Sequence, residues 1–448
     1  MIEKIKALSE KFYPQIKALR EKIHAEPELS FEEFNTAKLV CEVLEKAGIS
    51  YKSGIAKTGV LAWIEGEKSV NSANLNQNSQ KNSQANAENS QNSNQNSKNS
   101  LNLKTNSQNS RSQNAENSKN SPQTPKCLLL RADMDALPVQ EASGVSFASK
   151  HNGKMHACGH DGHTAALLGA ALILNELKAH FSGVVKFMFQ PAEENYGGAQ
   201  PMIAAGVLEN PRVDAVFGAH LWGPLLENTA QANAGAMMAG VDCFDLEFIG
   251  RGGHGAHPHT AIDPVVMAAK FIADAQTLVS RRLKPVDAGV VTIGCVQAGT
   301  TYNIIPQNAR LKGTVRFLND ETQAILQSGI EDIAKAVAHA FGGDFKLDYK
   351  REYPPLINDA AMVELAQRAF GKVLGAQNII TQAAADMGAE DFAFLTRERK
   401  GAYVFLGISK DLNAPTLHHS PNFCWDSLNL KPLMQGEVVL ALEFLNEN

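Results

Sequence analysis

CLLLRADMDALP, residues Cys127 to Pro138, decides the fold. Its first half is a short apolar run of the kind a strand buried on both faces requires. Its second half delivers two carboxylates, Asp133 and Asp135, where that strand must end. The pattern repeats downstream. VVKFMFQ (Val184 to Gln190) is a strand followed by Pro-Ala-Glu-Glu, and VDAVFGAHL (Val213 to Leu221) is a strand that carries His220 near its end. An Ala/Leu-rich helical pattern from His163 to about Phe181 separates the first two. Upstream, two helical patterns within residues 2–48 break near Pro27 and precede the strand GVLAWIEGE, Gly59 to Glu67. Strands alternating with helices predict an α/β domain with a mostly parallel sheet. In such sheets functional groups gather just past the carboxyl ends of the strands.

The pattern changes near Gly240. The order strand, helix (Asp263 to Arg282), strand (Val290 to Val296), strand (Ala309 to Phe317), helix (Thr322 to Phe341), strand (Phe345 to Tyr349) predicts a ferredoxin-like α+β unit. After Pro354 the α/β character returns, with a helix from Asp359, the strand AYVFLGI and a final helix from Pro432. The expected organisation is a large domain of residues 1–67, 126–239 and 352–448, with a smaller lid, 240–351, inserted into it.

Residues 68–125 belong to neither. This stretch of 58 residues holds 17 Asn and 13 Ser and no aromatic residue. It cannot bury enough apolar surface to offset its ordering entropy and reads as disordered. Strands flank it on both sides, so it is expected at the tip of a hairpin, where a two- to four-residue turn could replace it. It carries six Lys/Arg against two Glu, so the net charge of −5 for the whole chain conceals a more acidic remainder. An acidic chain without a basic, aromatic-studded patch argues against nucleic-acid binding. No apolar stretch is long enough to span a bilayer, and the charged N-terminal segment does not read as a signal peptide. The six scattered cysteines form no CxxC pair and read as reduced thiols of a cytoplasmic protein.

The strand ends collect a distinctive chemistry. Asp133 and Asp135 follow the first strand, Glu193 and Glu194 the second, and His220 the third. Between the first two lies HACGHDGH, with His156, Cys158, His160, Asp161 and His163 inside eight residues, and LHHSPNF near the C-terminus adds His418 and His419. Taken singly, each is as readily a cap, a solvated loop charge or a buried thiol. Taken together at successive strand ends, thiol, imidazole and carboxylate suit divalent Zn, Mn, Co or Ni. Neighbouring residues of an extended segment point to opposite sides, so one of Glu193 and Glu194 could bind metal while the other faces substrate. Neither HExxH nor G-x-S-x-G occurs. Gly250-Arg-Gly-Gly-His-Gly255 matches a dinucleotide-binding fingerprint, but it belongs to the lid and does not open into a helix. Its glycines fit a tight turn presenting His254, or a plain hinge.

The chain resembles the dinuclear metal-dependent amidohydrolases that include aminoacylases, hippurate hydrolase and plant auxin-conjugate hydrolases. The matching stretches are HAEPELSFEE (His24 to Glu33), LLRADMDALP, MHACGHDGHTA, FQPAEE, GAHLWG, GRGGHGAHP, NIIP, GTVRF, GAEDF and LHHSPNF, which span the chain outside residues 68–125. The resemblance implies a catalytic domain with two divalent metal ions and an inserted lid that serves as a dimerisation unit in some relatives, hence a possible homo-oligomer. It assigns Cys158 as bridging ligand and His160, Glu194, His220 and His419 as the remaining ligands. The family's closing motif, H-x-P-x-F/Y, selects His419 over His418. Asp135 is implied to act behind the ligands, Glu193 as general base, His254 at the scissile carbonyl, and Asn303 and Arg316 in holding substrate. The implied activity is hydrolysis of small N-acyl or N-aroyl amino acids, with hippurate the best single guess. The rivals are deacetylation of an N-acetyl amino acid such as N-acetyl-diaminopimelate, dipeptide hydrolysis, and a non-catalytic binding relative.

Overall fold

The computed structural model describes residues 1–68, 125–195 and 197–446. The Asn/Ser-rich segment therefore lies, but for its two ends, outside the described residues. The strands in chain order are β1 (Ser50–Ile55), β2 (Gly59–Glu65), β3 (Cys127–Asp133), β4 (Val184–Gln190), β5 (Ala215–Leu226), β6 (Ala230–Gln231), β7 (Gly235–Met238), β8 (Gly240–Ile249), β9 (Gly253–His254), β10 (Gly289–Ala298), β11 (Ile304–Ile305), β12 (Asn308–Phe317), β13 (Asp344–Tyr353), β14 (Leu356–Asn358), β15 (Ile379–Ile380) and β16 (Lys400–Ser409).

Eight of them form one sheet in the order β1-β2-β4-β3-β5-β16-β6-β15. Its centre, β4, β3, β5 and β16, is parallel. All seven residues of β3 are buried, as a strand covered on both faces demands. One face packs on the helices Ile2–Ala25, His160–Glu176, Ala360–Leu374 and Leu430–Asn446 through a continuous apolar core. The opposite face is covered around Met202, Phe392 and Leu395. The helix His160–Glu176 is buried from His160 to Leu174, which explains a pattern apolar nearly all round.

β8, β10, β12 and β13 make the second sheet, order β10-β12-β8-β13, with every neighbouring pair antiparallel. With the helices Pro264–Thr277 and Asp320–Phe341 between them, this is the βαββαβ unit expected from the sequence. Asp263 and Asn319 begin those helices by accepting hydrogen bonds from the amides of Val265 and Thr322. The unit has a separate core around Phe244, Phe248, Phe271 and Phe317. The fold is thus the expected α/β domain with an added α+β lid. Among the described residues no helix is long and apolar enough to cross a membrane.

The expected hairpin does not form. β4 lies between β2 and β3, pairing antiparallel with one and parallel with the other. At that edge the Gly66 amide donates to the Gly183 carbonyl and the Val184 amide to the Lys126 carbonyl. The two ends of the flanking strands stand two strand spacings apart, about 10 Å. A two-residue hairpin turn cannot close that gap. The cause is non-local: β4 enters the sheet about fifty residues after β3, and no local pattern announces it.

Candidate metal centre and active site

The site is built at the carboxyl ends of β3 and β4, along β5, and from the loop before the C-terminal helix. Gly159, at φ +98°, begins the helix His160–Glu176 in a conformation open to glycine, and so aims His160 back at the sheet. His160 donates from Nδ1 to the Asp135 carbonyl at 2.9 Å, leaving Nε2 buried without a partner. His220 donates from Nδ1 to the Leu221 carbonyl at 2.8 Å, and its Nε2 lies 3.5 Å from Cys158 Sγ. Glu194 Oε1 is also buried without a hydrogen bond and stands 3.3 Å from His419 Nε2.

These atoms fall into two sets joined by Cys158. One is Cys158, His160 and His220; the other is Cys158, Glu194 and His419; within each, the ligand atoms lie within 4.8 Å of one another. Orphaned buried lone pairs facing a common point are what a divalent cation satisfies. The donor set of thiol, imidazole and carboxylate fits Zn, Mn, Co or Ni. Burial, reinforced by Glu194 and Glu193, pushes the Cys158 thiol well above its ordinary range. Burial followed by His163 and His418 holds His220 well below its own, so its ring is neutral and free to ligate. Burial opposes a charged His160, but Asp133 and Asp135 outweigh it and push that ring up to about 10, so a cation bound there would take the place of the proton on Nε2. The pocket therefore carries surplus negative charge that suits cations.

Hydrogen bonding separates the two neighbouring histidines. His418 Nε2 accepts from the Gly223 amide at 3.0 Å, so its proton resides on Nδ1, which faces Cys158 Sγ at 3.8 Å. Burial, then His419, depresses this ring to about 3, which keeps it neutral. His418 is therefore a donor beside the thiol, while His419 offers a ring nitrogen to the Glu194 side. His163 is fully engaged, with Nδ1 on Asp133 at 2.7 Å and Nε2 accepting from the Leu221 amide at 2.9 Å.

Glu193 and Glu194 sit in a turn rather than an extended segment, so both face the cluster instead of opposite sides. Asp135 holds that turn, its two oxygens accepting from the amides of Glu193 (3.1 Å) and Glu194 (3.0 Å). Burial, then Glu390 and Glu194, pushes the Glu193 carboxyl well above the carboxylate range.

A cavity of about 760 Å³ opens over these residues and is walled on the other side by Val241, Arg316 and Arg351 of the lid sheet. Arg316 is half-buried there, and among the described residues it makes no ion pair. The structure thus gathers Cys158, His160, Glu193, Glu194, His220, His419 and Arg316, with Asp135 behind them. It leaves His254 and Asn303 outside. They neighbour each other on the lid, where β9 pairs with β11 and the Gly255 amide donates to the Asn303 carbonyl at 2.8 Å, but both are exposed and neither lines the cavity. β9 leads into no α-helix until Pro264, in keeping with the rejection of a dinucleotide-binding loop.

Sequence reasoning missed a second layer. Arg131, fully buried within β3, donates to Gln190, Asp133, Glu390 and Asp391 at 2.7–2.9 Å. It ties the ends of β3 and β4 to the loop behind Glu193. A lone arginine in an otherwise apolar strand was the available signal, because a buried guanidinium must be paired. Glu33, about 160 residues before Glu193 in the chain, gave no such signal.

Comparison with known proteins agrees with this geometry. Residues 129–436 match the model of "Peptidase family M20/M25/M40". The chain is 34% identical over 437 residues to IAA-amino acid hydrolase ILR1-like 2 of Arabidopsis thaliana, covering 96% of this chain and 85% of that protein. It is 33% identical over 412 residues to N-acetyl-L-cysteine deacetylase of Bacillus subtilis, covering 92% and 84%. The crystal structure of the Bacillus subtilis YXEP protein, described as a dinuclear metal binding peptidase from the M20 family, superposes with a TM-score of 0.74 at 30% identity, covering 97% and 99% of the two chains. The chain belongs to peptidase family M20/M25/M40.

Proposed function

We propose that this metallo-amidohydrolase cleaves N-acyl and N-aroyl amino acids to a carboxylate and a free amino acid. The observation that carries the reading is the convergence of unpartnered His160 Nε2 and Glu194 Oε1 on Cys158, beside the buried carboxyl of Glu193. Cys158 would be shared between two cations, with His160 and His220 completing one ligand set and Glu194 and His419 the other. When bound, such cations would lower the pKa of a water and polarise the substrate carbonyl.

The chain's own residues do the rest. Glu193 takes the proton from the attacking water, holds it in a buried site that favours the neutral acid, and returns it to the departing amine. Arg316, in the facing wall, pairs with the free carboxylate of the amino acid. His254 and Asn303 approach when the lid closes, and His254 donates to the developing oxyanion. Trp222, stacked on Phe405 with ring centroids 4.1 Å apart, lines the cavity with Met238 and Phe394. That apolar wall favours an aroyl group such as the benzoyl of hippurate over acetyl. A cytoplasmic location belongs to the same reading, supported by six free cysteines, of which Cys158 must stay reduced to bind metal. A homo-oligomer is supported by Val296, Tyr302 and Ile304, exposed near the free edge strand β10; sedimentation showing only monomers would remove it.

The deciding assay compares wild type and Glu193→Gln, each loaded with Mn²⁺ or Zn²⁺, on benzoylglycine, acetyl amino acids and dipeptides. We expect Glu193→Gln to bind metal and to lose about 10³-fold in kcat. Equal rates for the two proteins would sink the mechanism. A wild type inert on every acyl amino acid would sink the substrate class.

A further inference from the structure

Among the residues near the site whose backbone takes a conformation that L-residues rarely adopt, two share one hydrogen-bond acceptor. Ala192, immediately before Glu193, has φ +54°, and Phe31, in the loop after the first helix, has φ +61°. One oxygen serves both. Glu33 Oε1 accepts from the Ala192 amide at 2.9 Å and from the Phe31 amide at 2.9 Å. Its other oxygen accepts from Thr58 Oγ1 at 2.6 Å, and the side chain is fully buried. Glu33 is thus clamped at one end and spends the other on two strained amides. With Asp135, it leaves three successive amides, those of Ala192, Glu193 and Glu194, each held by a carboxylate. Ser30 Oγ in turn donates to Asp135 at 2.8 Å, so the N-terminal loop braces both carboxylates.

We infer that Glu33 is a positioning residue: it holds Ala192 in the left-handed conformation that aims the Glu193 carboxylate at the reacting water. It touches neither the ligand atoms nor the cavity. Its loss should therefore act on the proton-transfer step rather than on binding, because displacing a reacting group by about 1 Å can cost 10²-fold in rate. The inference rests on the reading of Glu193 as general base. Failure of that reading would appear first in wild type and Glu193→Gln, before any Glu33 variant is made.

The test is a kinetic cycle on the metal-loaded enzyme with benzoylglycine or its best acyl amino acid. Glu33→Ala should lower kcat at least 30-fold, with KM within twofold and two metals per chain retained. Ala192→Gly alone should stay within threefold of wild type, since glycine takes φ +54° without strain. Added to Glu33→Ala, it should recover at least fivefold of the lost kcat, a rescue that a merely structural role for Glu33 would not give. Glu33→Gln keeps an acceptor oxygen for both amides and should stay within fivefold. Glu33→Ala with kcat within twofold of wild type overturns the inference, and so does a loss that Ala192→Gly leaves untouched. Should Glu33→Ala fail to fold by circular dichroism, Glu33→Asp takes its place. Its shorter side chain keeps the charge but draws the oxygen away from the two amides. A kcat loss of tenfold or more at constant KM supports the inference, and an unchanged kcat overturns it.

Discussion

The strand-end cluster and the tip of the lid both carry residues assigned to the same reaction, yet they are built oppositely. In the cluster, His160 and His220 are 1% and 4% exposed, and each ring is fixed by a backbone carbonyl on the nitrogen that does not face the site. On the lid, His254 sits in a two-residue strand beside Tyr302 and Ile304, which are 99% and 58% exposed, and its Nδ1 merely accepts from the Ala256 amide at 3.1 Å. The difference separates two kinds of work. Holding cations needs lone pairs fixed in advance, because any reorganisation weakens binding. Stabilising charge on a substrate needs a donor that arrives with it and shuts out water.

That contrast can be broken from either side. The largest effect is expected from Cys158→Ala, which removes the atom common to both ligand sets. Metal analysis after dialysis should find fewer than two ions per chain, and activity should fall at least 10³-fold; two retained ions would mean that Cys158 is not the shared ligand. A smaller loss, about 10²-fold in kcat, is expected from His254→Ala, the scale of one lost oxyanion donor. Metal content should not change. If His254→Ala lost metal, the lid would be part of the centre and the division of labour would be wrong; if its kcat were unaltered, His254 would have no part in the chemistry.

How much of this was legible in the sequence follows the same division. Strand ends are local features: an apolar run stopping at Asp133 or before Glu193 is visible without a partner. The residues proposed as ligands therefore gather at the strand ends the pattern marked, and the βαββαβ order of the lid could be read from alternating periods. What escaped depended on pairing between distant segments. β4 separates β2 from β3, so the hairpin was wrong. The turn at Pro191 to Glu194 replaced an extended segment because Glu33 and Asp135 take up its amides. The distinct duties of His418 and His419 rest on which ring nitrogen meets the Gly223 amide. No local pattern encodes these contacts.

The smallest predicted effect extends the comparison to the helix layer behind the sheet. Several buried carboxylates near the site have cationic partners: Asp161 has Arg20 at 3.1 Å and His24 at 3.0 Å, and Asp133, Glu390 and Asp391 share Arg131. Glu437, within the helix Leu430–Asn446, has none among the described residues. Its Oε2 is buried with no hydrogen bond, and burial alone raises the carboxyl from 4.5 to about 8. Below pH 4.5 the folded and unfolded chains both carry its proton, and the group contributes no pH dependence. As pH rises towards 8 the unfolded chain releases the proton first, so Glu437 erodes stability across that interval and no further above it. The total erosion is on the order of a few kcal/mol, at about 1.4 kcal/mol per pKa unit. Glu437→Gln removes the titration. In urea melts its stability advantage over wild type should grow steadily from pH 5 to pH 8 and then level off. A difference between the two proteins that stays constant over that range would mean Glu437 has a cationic or water partner, as Asp161 has in Arg20 and Asp133 in Arg131.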